Sequence, residues 1–434
     1  MLSTTEERAK LAHLYRRAGF GARPAQLDAA TRRGYAATVE RLLDFGAPDS
    51  AAAAVRPPEL PLVPQPGKDA DQAARQRARA AAREQGTRLA LWWLRRMAAA
   101  DNPLREKLTL FWHGHFATSI QKVRQARLMY QQNELLRRAG AGPVEALTLA
   151  IAKDPAMLIW LDGNLNRKQS PNENFARELM ELFTLGVGNY TEADVKALAR
   201  AFTGWRVRRA TGEVRFVPAL HDDGAKTVLG HTANLDAAGA VALVTSQPVA
   251  ARFLAARMWS FFATPVGAGD PVVASLAAAY AHQRTGASLL RAVLLADEFT
   301  GEAVRAGLVK TPIEYVVGSL RALRLEPQVR HVNLLRRLGQ VPFAPPSVGG
   351  WPANAAWLTT ASSQIRYQFA RAAVAEADLS EIAASSRGER PAAVAHLLGV
   401  ERWSDTTARA LAGVAGDPRA LVTIALVAPE HVLN

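Results

Sequence analysis

Hydrophobic residues recur every three or four positions along most of this chain, which is the spacing of one face of an α-helix. The first such pattern runs through Leu11 and Leu14 and ends at Gly21. Further helical patterns cover residues 24–45, 71–97, 103–115, 121–138, 143–152 and 172–185, and they resume near residue 235. The pattern therefore predicts a mainly α-helical protein, a bundle-like domain of many helices around a single continuous core.

One segment departs from the helical pattern towards β structure. Residues 206–216 read RVRRATGEVRF and place Thr211 and Gly212 between two short alternating stretches. This arrangement predicts a small β-hairpin insertion near residues 206–218. No fixed-period repeat is present, which argues against a solenoid and leaves the number of domains open, and the hairpin and a polar loop occupy residues 206–230.

Residues 48–70 form the only long stretch that is rich in proline and alanine. Five prolines fall between residues 57 and 66, where they remove backbone donors and fix an extended geometry. The stretch therefore predicts a linker or a strap within the domain.

The composition narrows the classes of partner and cofactor. Lys and Arg number 53 against 39 Asp and Glu, and the net charge of +14 favours a polar or anionic polymer as substrate. An Arg-rich solvated surface explains the same charge without a partner, and no nucleic-acid-binding motif accompanies it, so we expect no specific nucleic acid. The absence of cysteine excludes disulfides, thiolate chemistry and iron–sulfur clusters, and any metal must bind to His, Asp or Glu.

The chain shows no targeting or membrane signal. No run of about 18 apolar residues is present, which predicts no membrane span. The N-terminal residues alternate charged and apolar types without the apolar stretch of a signal peptide, and no such stretch follows Arg16-Arg17 either. These features predict a cytoplasmic protein.

The densest group of chemically active residues lies between 171 and 186. At about 100° per residue, one stripe of this helix carries Asn174, Arg177, Glu178 and Glu181. The adjoining stripe is apolar, so one face must enter the core. The carboxylates then either face solvent or line a pocket where burial and Arg177 push their pKa values apart.

Two histidines, His113 and His115, lie near the end of the helix that starts near 103. They are two positions apart, too close for one helical face, but a helix break at Gly114 would turn both imidazoles inward as one arm of a divalent metal site. The remaining ligands would come from carboxylates, with four candidates: Glu178, Glu181, Asp222 and Asp223. The alternative is that both histidines cap the end of the helix.

A polar loop at 220–230 collects His221, Asp222, Asp223 and Lys226. Such loops after strands often bind substrate. The alternative is an Asx turn closed by an aspartate on Gly224, with Lys226 on the surface.

Trp351, in the nearly uncharged, proline-rich segment 339–352, is a candidate for an aromatic platform together with Trp357. Trp205, which precedes the hairpin, is a further candidate substrate-binding residue. The alternative for Trp351 is a packing role. No dinucleotide or phosphate-binding loop, HExxH or GxSxG motif is present, so nucleotide-dependent and common hydrolase chemistries lose support.

Eight segments of the chain together resemble a bacterial family catalogued as domain of unknown function 1800. They are FWHGHFATS, DPAMLIWLDG, SPNENFARELMELFTLGVGNYTEADV, ARAFTGW, HDDGAKTVLG, KTPIEYVVG, LGQVPFAPPSVGGWP and ALVAPEH. The likeness runs from about Leu11 to Val432. It implies a single helical domain over residues 1–434, and it brings no settled activity and no catalytic roles.

The resemblance also implies a partner. Members of this family often look exported and often neighbour a sulfatase-like family, domain of unknown function 1501. This chain departs from that pattern because it shows no leader, so the alternative to a cytoplasmic location is export together with such a partner. It departs again at Gln247, where family members commonly have His, and any role of that histidine does not transfer.

Three functions are compatible with these residues. The first is a hydrolase of a glycan or another polar polymer, in which Glu178 or Glu181 is the general acid and its partner or Asp222 is the base or nucleophile, beside Arg177. We expect these groups and the histidines to surround one cavity, with substrate-binding residues Asn174, His221, Asp223, Lys226, Trp205 and Trp351 in it or at its rim. The alternatives are a His/carboxylate metal-dependent phosphate or sulfate ester hydrolase, and a basic scaffold or chaperone for an exported partner.

Overall fold

A computed structural model describes residues 4–433 except 65, 68, 210 and 306. The described chain is 63% helical and contains 24 α-helices. The first twelve are α1 (Thr4–Arg17), α2 (Pro24–Arg33), α3 (Tyr35–Leu43), α4 (Ser50–Ala54), α5 (Gln72–Ala99), α6 (Leu104–His115), α7 (Ile120–Val123), α8 (Ala126–Ala139), α9 (Val144–Ala152), α10 (Pro155–Trp160), α11 (Asn174–Glu178) and α12 (Glu192–Ala201). The others are α13 (Ala237–Ser246), α14 (Pro248–Phe262), α15 (Pro271–Ala281), α16 (Gly286–Leu295), α17 (Pro312–Ala322), α18 (Val329–Leu338), α19 (Thr360–Glu376), α20 (Ser380–Ala384), α21 (Arg390–Leu398), α22 (Asp405–Val414), α23 (Pro418–Val427) and α24 (Pro429–Val432). The predicted mainly α-helical fold is confirmed.

Two small antiparallel hairpins interrupt the helices in the described chain. Strands β1 (Trp205–Arg208) and β2 (Glu213–Phe216) form the first hairpin, as the alternating pattern predicted. Strands β3 (Lys226–Val228) and β4 (His231–Ala233) form a second one, where the sequence indicated only a polar loop. Three-residue strands are too short for an alternation of polar and apolar residues to be recognised.

The proline-rich segment lies against α5 and the start of α8. Gln125 holds it by two hydrogen bonds to the backbone of Val63, with the amide of Val63 donating at 3.0 Å and Nε2 donating to the carbonyl at 2.7 Å. Gln85 of α5 donates to the carbonyl of Pro61 at 2.9 Å. These side-chain amides replace the partners that an extended, proline-rich backbone lacks.

Buried apolar residues form two clusters, and α6 contributes to both. Leu108 and Trp112 of α6 belong to a cluster built mainly from α1–α3, α6 and α9–α16. Leu110 belongs to a second cluster built mainly from α5, α8 and α17–α24. The interior expected as a single core therefore has two parts, and α6 lies between them because both of its faces are apolar.

Buried charges fix α6 to its neighbours. Glu106 is almost sealed and accepts hydrogen bonds from Arg137 of α8 at 2.9 Å, Arg96 of α5 at 2.6 Å and the indole of Trp93 at 2.8 Å. The next residue, Lys107, is equally buried and forms an ion pair with Glu314 of α17. Buried charges persist only when they are paired, so these contacts define where α6 sits.

In the part of the chain that the structure describes, no single helix is long and apolar enough to cross a membrane. Helices α13 and α14, which are bent by 76° relative to each other, are together long and apolar enough to cross a membrane, judged by length and composition alone.

Candidate functional site

The two histidines of α6 face opposite sides of the helix. The helix does not break at Gly114 but continues to His115, so the two side chains are about 200° apart around its axis. The expectation that both imidazoles turn towards one point is therefore wrong. They cannot bind the same ion from these positions.

Each imidazole already has a backbone partner. His113 accepts a hydrogen bond at Nε2 from the amide of Phe343 at 3.0 Å, and its ring packs edge-on against Trp93 and Trp351. His115 donates from Nε2 to the carbonyl of Phe183 at 3.0 Å. Burial lowers the pKa of each histidine to about 3, so both rings are neutral at physiological pH.

No carboxylate cluster completes a metal site with these histidines. Among the described residues there is no group of three or more His, Asp or Glu side chains placed to hold a metal ion. The geometry therefore offers no support for the predicted His113/His115 metal arm.

The acidic motif forms a helix with an unusual second half. After α11 ends at Glu178, residues Leu179–Thr184 continue as a π-helix, a conformation that is rare and often occurs at functional sites. Its apolar side is buried through Phe175 and Phe183, as the pattern predicted. The wider helical turn is closed at its end by the hydroxyl of Thr184, which donates to the carbonyl of Leu179.

Glu178 and Glu181 lie half-buried next to each other on this segment. Burial and the neighbouring charge of Glu181 raise the pKa of Glu178. The phenol of Tyr190 donates to Oε2 of Glu181 at 2.7 Å, and burial together with this hydrogen bond raises the pKa of Tyr190 to about 12. The two carboxylates are therefore in different environments, as acid/base chemistry requires.

The other polar residues of the stripe do not join this pair. Arg177 donates to both oxygens of Glu192 on α12, at 2.6 and 2.7 Å, and to Glu173 at 3.0 Å. Asn174 is exposed, and its backbone amide is capped by Asn172. Arg177 thus connects α11 to α12 on the surface through its two terminal nitrogens, and its charge opposes the rise in the pKa of Glu178.

The polar loop at 220–230 is held by its own hydrogen bonds. Both carboxylate oxygens of Asp222 accept from Arg200 of α12, at 2.6 and 3.0 Å, and the amide of Gly224 donates to Asp222 at 3.0 Å. The hydrogen bonds from Arg200 lower the pKa of Asp222. The Asx-turn alternative for this loop is confirmed, and Asp222 does not meet the carboxylate pair.

The remaining residues of this loop divide between structure and surface. Lys226 is buried and donates to the carbonyls of Asp222 and Gly224 at 2.7 and 2.8 Å, so the expectation of a surface lysine is wrong. His221 lies with Nδ1 3.0 Å from the carbonyl of Thr203. Asp223 is exposed to solvent.

Trp205 and Trp351 lie apart from each other and have different neighbours. The ring of Trp205 packs against Phe216 across the first hairpin, with Nζ of Lys153 5.0 Å from its centre. Trp351 is half-buried beside His113 and lines a cavity next to α6. Only Trp351 is therefore placed beside a cavity that could take a ligand ring.

This cavity has a volume of about 170 Å³ and lies between α6, α14, α17 and the segment around Trp351. We name it the central pocket. Its lining residues include Phe111, Gly114, His115, Arg257, Ser260, Phe261, Val309, Thr311, Glu314, Gln340, Trp351 and Asn354. Gly350, with φ of +87°, lets this segment approach α6 closely, because a Cβ there would lie 2.8 Å from the carbonyl of Gly114.

Of the residues predicted to converge, His115 and Trp351 line the central pocket, and Glu178, Glu181 and Asp222 do not. The expectation of one shared cavity is therefore wrong. The buried side of the π-helix, which carries Phe183, faces the core and His115, so the carboxylates lie elsewhere on the helix.

Sequence reasoning missed Arg257, Gln340 and Asn354, which supply hydrogen-bond donors to this pocket. Arg257 had one weak signal, since it is a lone charge between the apolar residues 253–256 and 258–259 of α14. Gln340 lies within a segment that carried the family resemblance, but nothing in its local pattern distinguished it from any surface glutamine.

Comparison with known proteins gives one result, and it concerns nearly the whole chain. There is no match among curated proteins and none among solved structures. The family model described as "Protein of unknown function (DUF1800)" matches residues 13–433, which include the FWHGHF, KTPIE and GGWP segments that line the central pocket. The chain therefore belongs to the DUF1800 family, as the eight segments indicated.

Proposed function

We propose that this protein is a hydrolase of a glycan or another polar polymer that works by carboxylate acid/base chemistry. The observation that supports the proposal is the half-buried pair Glu178 and Glu181 on the π-helix, in which one carboxyl has a raised pKa and the other accepts a phenolic hydrogen bond. Paired carboxylates with separated pKa values are the usual machinery of glycoside hydrolysis.

The two environments support a different role for each carboxylate. Glu178 is the general acid, because burial and the charge of Glu181 favour its protonated form. Glu181 is the partner that acts as base or nucleophile, and it accepts a hydrogen bond from the Tyr190 hydroxyl. Asp222 has no part in this mechanism, since Arg200 donates to both of its oxygens. Arg177 acts on Glu178 only through its charge, which opposes the rise in the pKa of that carboxyl.

The test is hydrolysis of a panel of neutral and acidic polysaccharides, measured as release of reducing ends. Glu178→Gln and Glu181→Gln keep the shape of each side chain and remove its acid/base function, and each should lower kcat by about 10²–10⁴-fold on a substrate that the wild type cleaves. Glu192→Gln is the matched control on the same surface, because in the described part of the chain the Glu192 carboxylate is hydrogen-bonded to Arg177 and not to Glu178, Glu181 or Tyr190, and it should retain wild-type activity.

Two results would overturn the proposal. One is a wild-type protein that releases no reducing ends from any polysaccharide of the panel. The other is a Glu178→Gln variant that keeps full activity on a cleaved substrate. The first result would leave the basic scaffold for an exported, sulfatase-like partner as the function to test next.

A further inference from the structure

Arg257 is a cation without a partner in a pocket. No carboxylate pairs with it and no hydrogen bond satisfies it among the residues that the structure describes. The side chain is exposed, yet the surrounding protein lowers the pKa of the guanidinium. Arg257 lines the central pocket, so a ligand bound there can reach its side chain. An arginine in such a position has all five donors free for a ligand.

Two side-chain amides add donors to the same pocket. The amide of Ile313 donates to Oε1 of Gln340 at 2.9 Å, and the amide of Val309 donates to Oδ1 of Asn354 at 2.9 Å. These backbone donors fix the oxygen of each side chain, so the NH₂ groups are left for another partner. In the described part of the chain, neither side-chain nitrogen is a fully buried atom that lacks a hydrogen-bond partner, so each is accessible to solvent.

The carboxylate in the pocket lining is already in use. Glu314 accepts from Lys107 and, at 2.7 Å, from the amide of Thr311. The Lys107–Glu314 pair is neutral as a unit, which leaves Arg257 as the source of net charge in the lining. The pocket therefore presents one positive charge and several N–H donors, and it suits a ligand with one negative charge and several acceptor oxygens.

The size of the pocket limits the ligand to about one ring. A cavity of about 150 Å³ takes a benzene molecule, and the central pocket has about 170 Å³. Its apolar walls include the aromatic side chains of Phe111, Phe261 and Trp351, which suit the face of a ring.

We propose that the central pocket binds a ring-sized ligand that carries a singly charged oxyanion group, either a carboxylate or a sulfate ester. Arg257 contacts the oxyanion, and Gln340 and Asn354 donate to oxygen atoms of the ligand. This site is separate from the Glu178/Glu181 pair, so it does not depend on the proposed hydrolase function.

The test is isothermal titration calorimetry of the full chain with four anionic probes: glucuronate, benzoate, glucose 6-sulfate and phenyl sulfate. Glucose and benzyl alcohol are the neutral controls. We expect at least one anionic probe to bind ten times or more tightly than its neutral control, and the binding to weaken as salt is added. The carboxylate and sulfate arms identify which oxyanion the site prefers.

Variants assign the binding to the site. Arg257→Gln should weaken binding of the preferred probe by at least tenfold, and Arg257→Lys should weaken it less because the charge remains without the planar fork. Arg252→Gln is the matched control, because Arg252 is an exposed arginine on the same helix outside the pocket, and it should bind as the wild type does.

Three results would overturn the proposal: no binding of any of the four anionic probes, equal binding of the neutral controls, or full binding by a folded Arg257→Gln variant. Glu178→Gln should bind the preferred probe with wild-type affinity. A negative hydrolase assay therefore does not bear on ligand binding in the central pocket, and a lack of ligand binding does not bear on the hydrolase proposal.

Discussion

The buried ion pair between Lys107 and Glu314 gives the sharpest test of how this fold is held together. The two side chains are 1% and 8% exposed, and they connect α6 to α17. Burial alone would raise the pKa of Glu314, but the charge of Lys107 and the hydrogen bonds from Lys107 and Thr311 lower it. Burial lowers the pKa of Lys107. We therefore expect the carboxylate to be held firmly, while the ammonium carries the larger desolvation cost.

The contacts of each side chain indicate how much stability is lost when either partner of the ion pair is replaced. In Glu314→Gln, the ammonium of Lys107 keeps only the carbonyl of Gly19 at 3.3 Å and the rings of Phe20 and Phe261, at 5.6 and 5.4 Å from their centres. In Lys107→Met, the carboxylate of Glu314 loses its ion pair and keeps the hydrogen bond from the Thr311 amide, with the charges of Lys310 and Arg17 as its other cationic neighbours. Each single substitution should lower the free energy of unfolding by about 3–5 kcal/mol, since each leaves an unpaired buried charge.

The double variant Lys107→Met/Glu314→Gln removes both charges and keeps an oxygen to cap Thr311. It should lie within about 1 kcal/mol of the wild type, so the coupling between the two substitutions should reach about 3 kcal/mol or more. In a chain of this length, about 1 kcal/mol corresponds to about 1 °C in Tm, so differential scanning calorimetry of the four proteins can resolve the effect. Additive losses in the double variant would refute the reasoning.

Three other predictions concern buried or candidate groups. Burial raises the pKa of Asp154 from 3.8 to about 7, so between these pH values the folded state keeps a proton that the unfolded state has lost, and stability falls as pH rises. Asp154→Asn should flatten this pH dependence of stability, measured by urea unfolding at pH 4–8. An unchanged pH dependence would contradict the prediction. Burial lowers the pKa of Lys310 from 10.5 to about 7, so stability should rise with pH from about 7 to 10.5. Lys310→Met should abolish that rise. A rise that persists in the variant would show that Lys310 is not the group responsible. Because His113 and His115 face opposite sides of α6, we expect elemental analysis of protein purified without metal-affinity resin to find no stoichiometric transition metal that depends on both. A full equivalent that disappears in His113→Ala/His115→Ala would reinstate the metal hypothesis.

The helices could be predicted because local residues determine them. Thr311 and Glu314 form a capping box around Pro312 at the start of α17, and the hairpin at 205–216 turns at Gly212, where φ is +73°. Each signal lies within a few residues of its effect. Such features are legible in a single sequence.

The site could not be predicted to the same degree because it depends on contacts between distant residues. Gly114 is a strong helix breaker only in isolation, and within α6 the packing on both sides keeps the helix intact to His115. The π-helix after Glu178 has no local signature either. Gln340 meets α17 through the amide of Ile313, 27 residues away in the chain, and no periodicity reports such a contact.

The position of α6 between the two apolar clusters governs how the molecule opens. Its neighbouring residues Glu106 and Lys107 both pair with helices of the second cluster, the first through Arg137 and Arg96 and the second through Glu314. The second cluster therefore cannot separate from α6 without exposing buried charges, whereas the first cluster is held to α6 by apolar contacts such as those of Leu108 and Trp112. In hydrogen exchange, the backbone amides of α6 should therefore lose protection together with those of α5, α8 and α17.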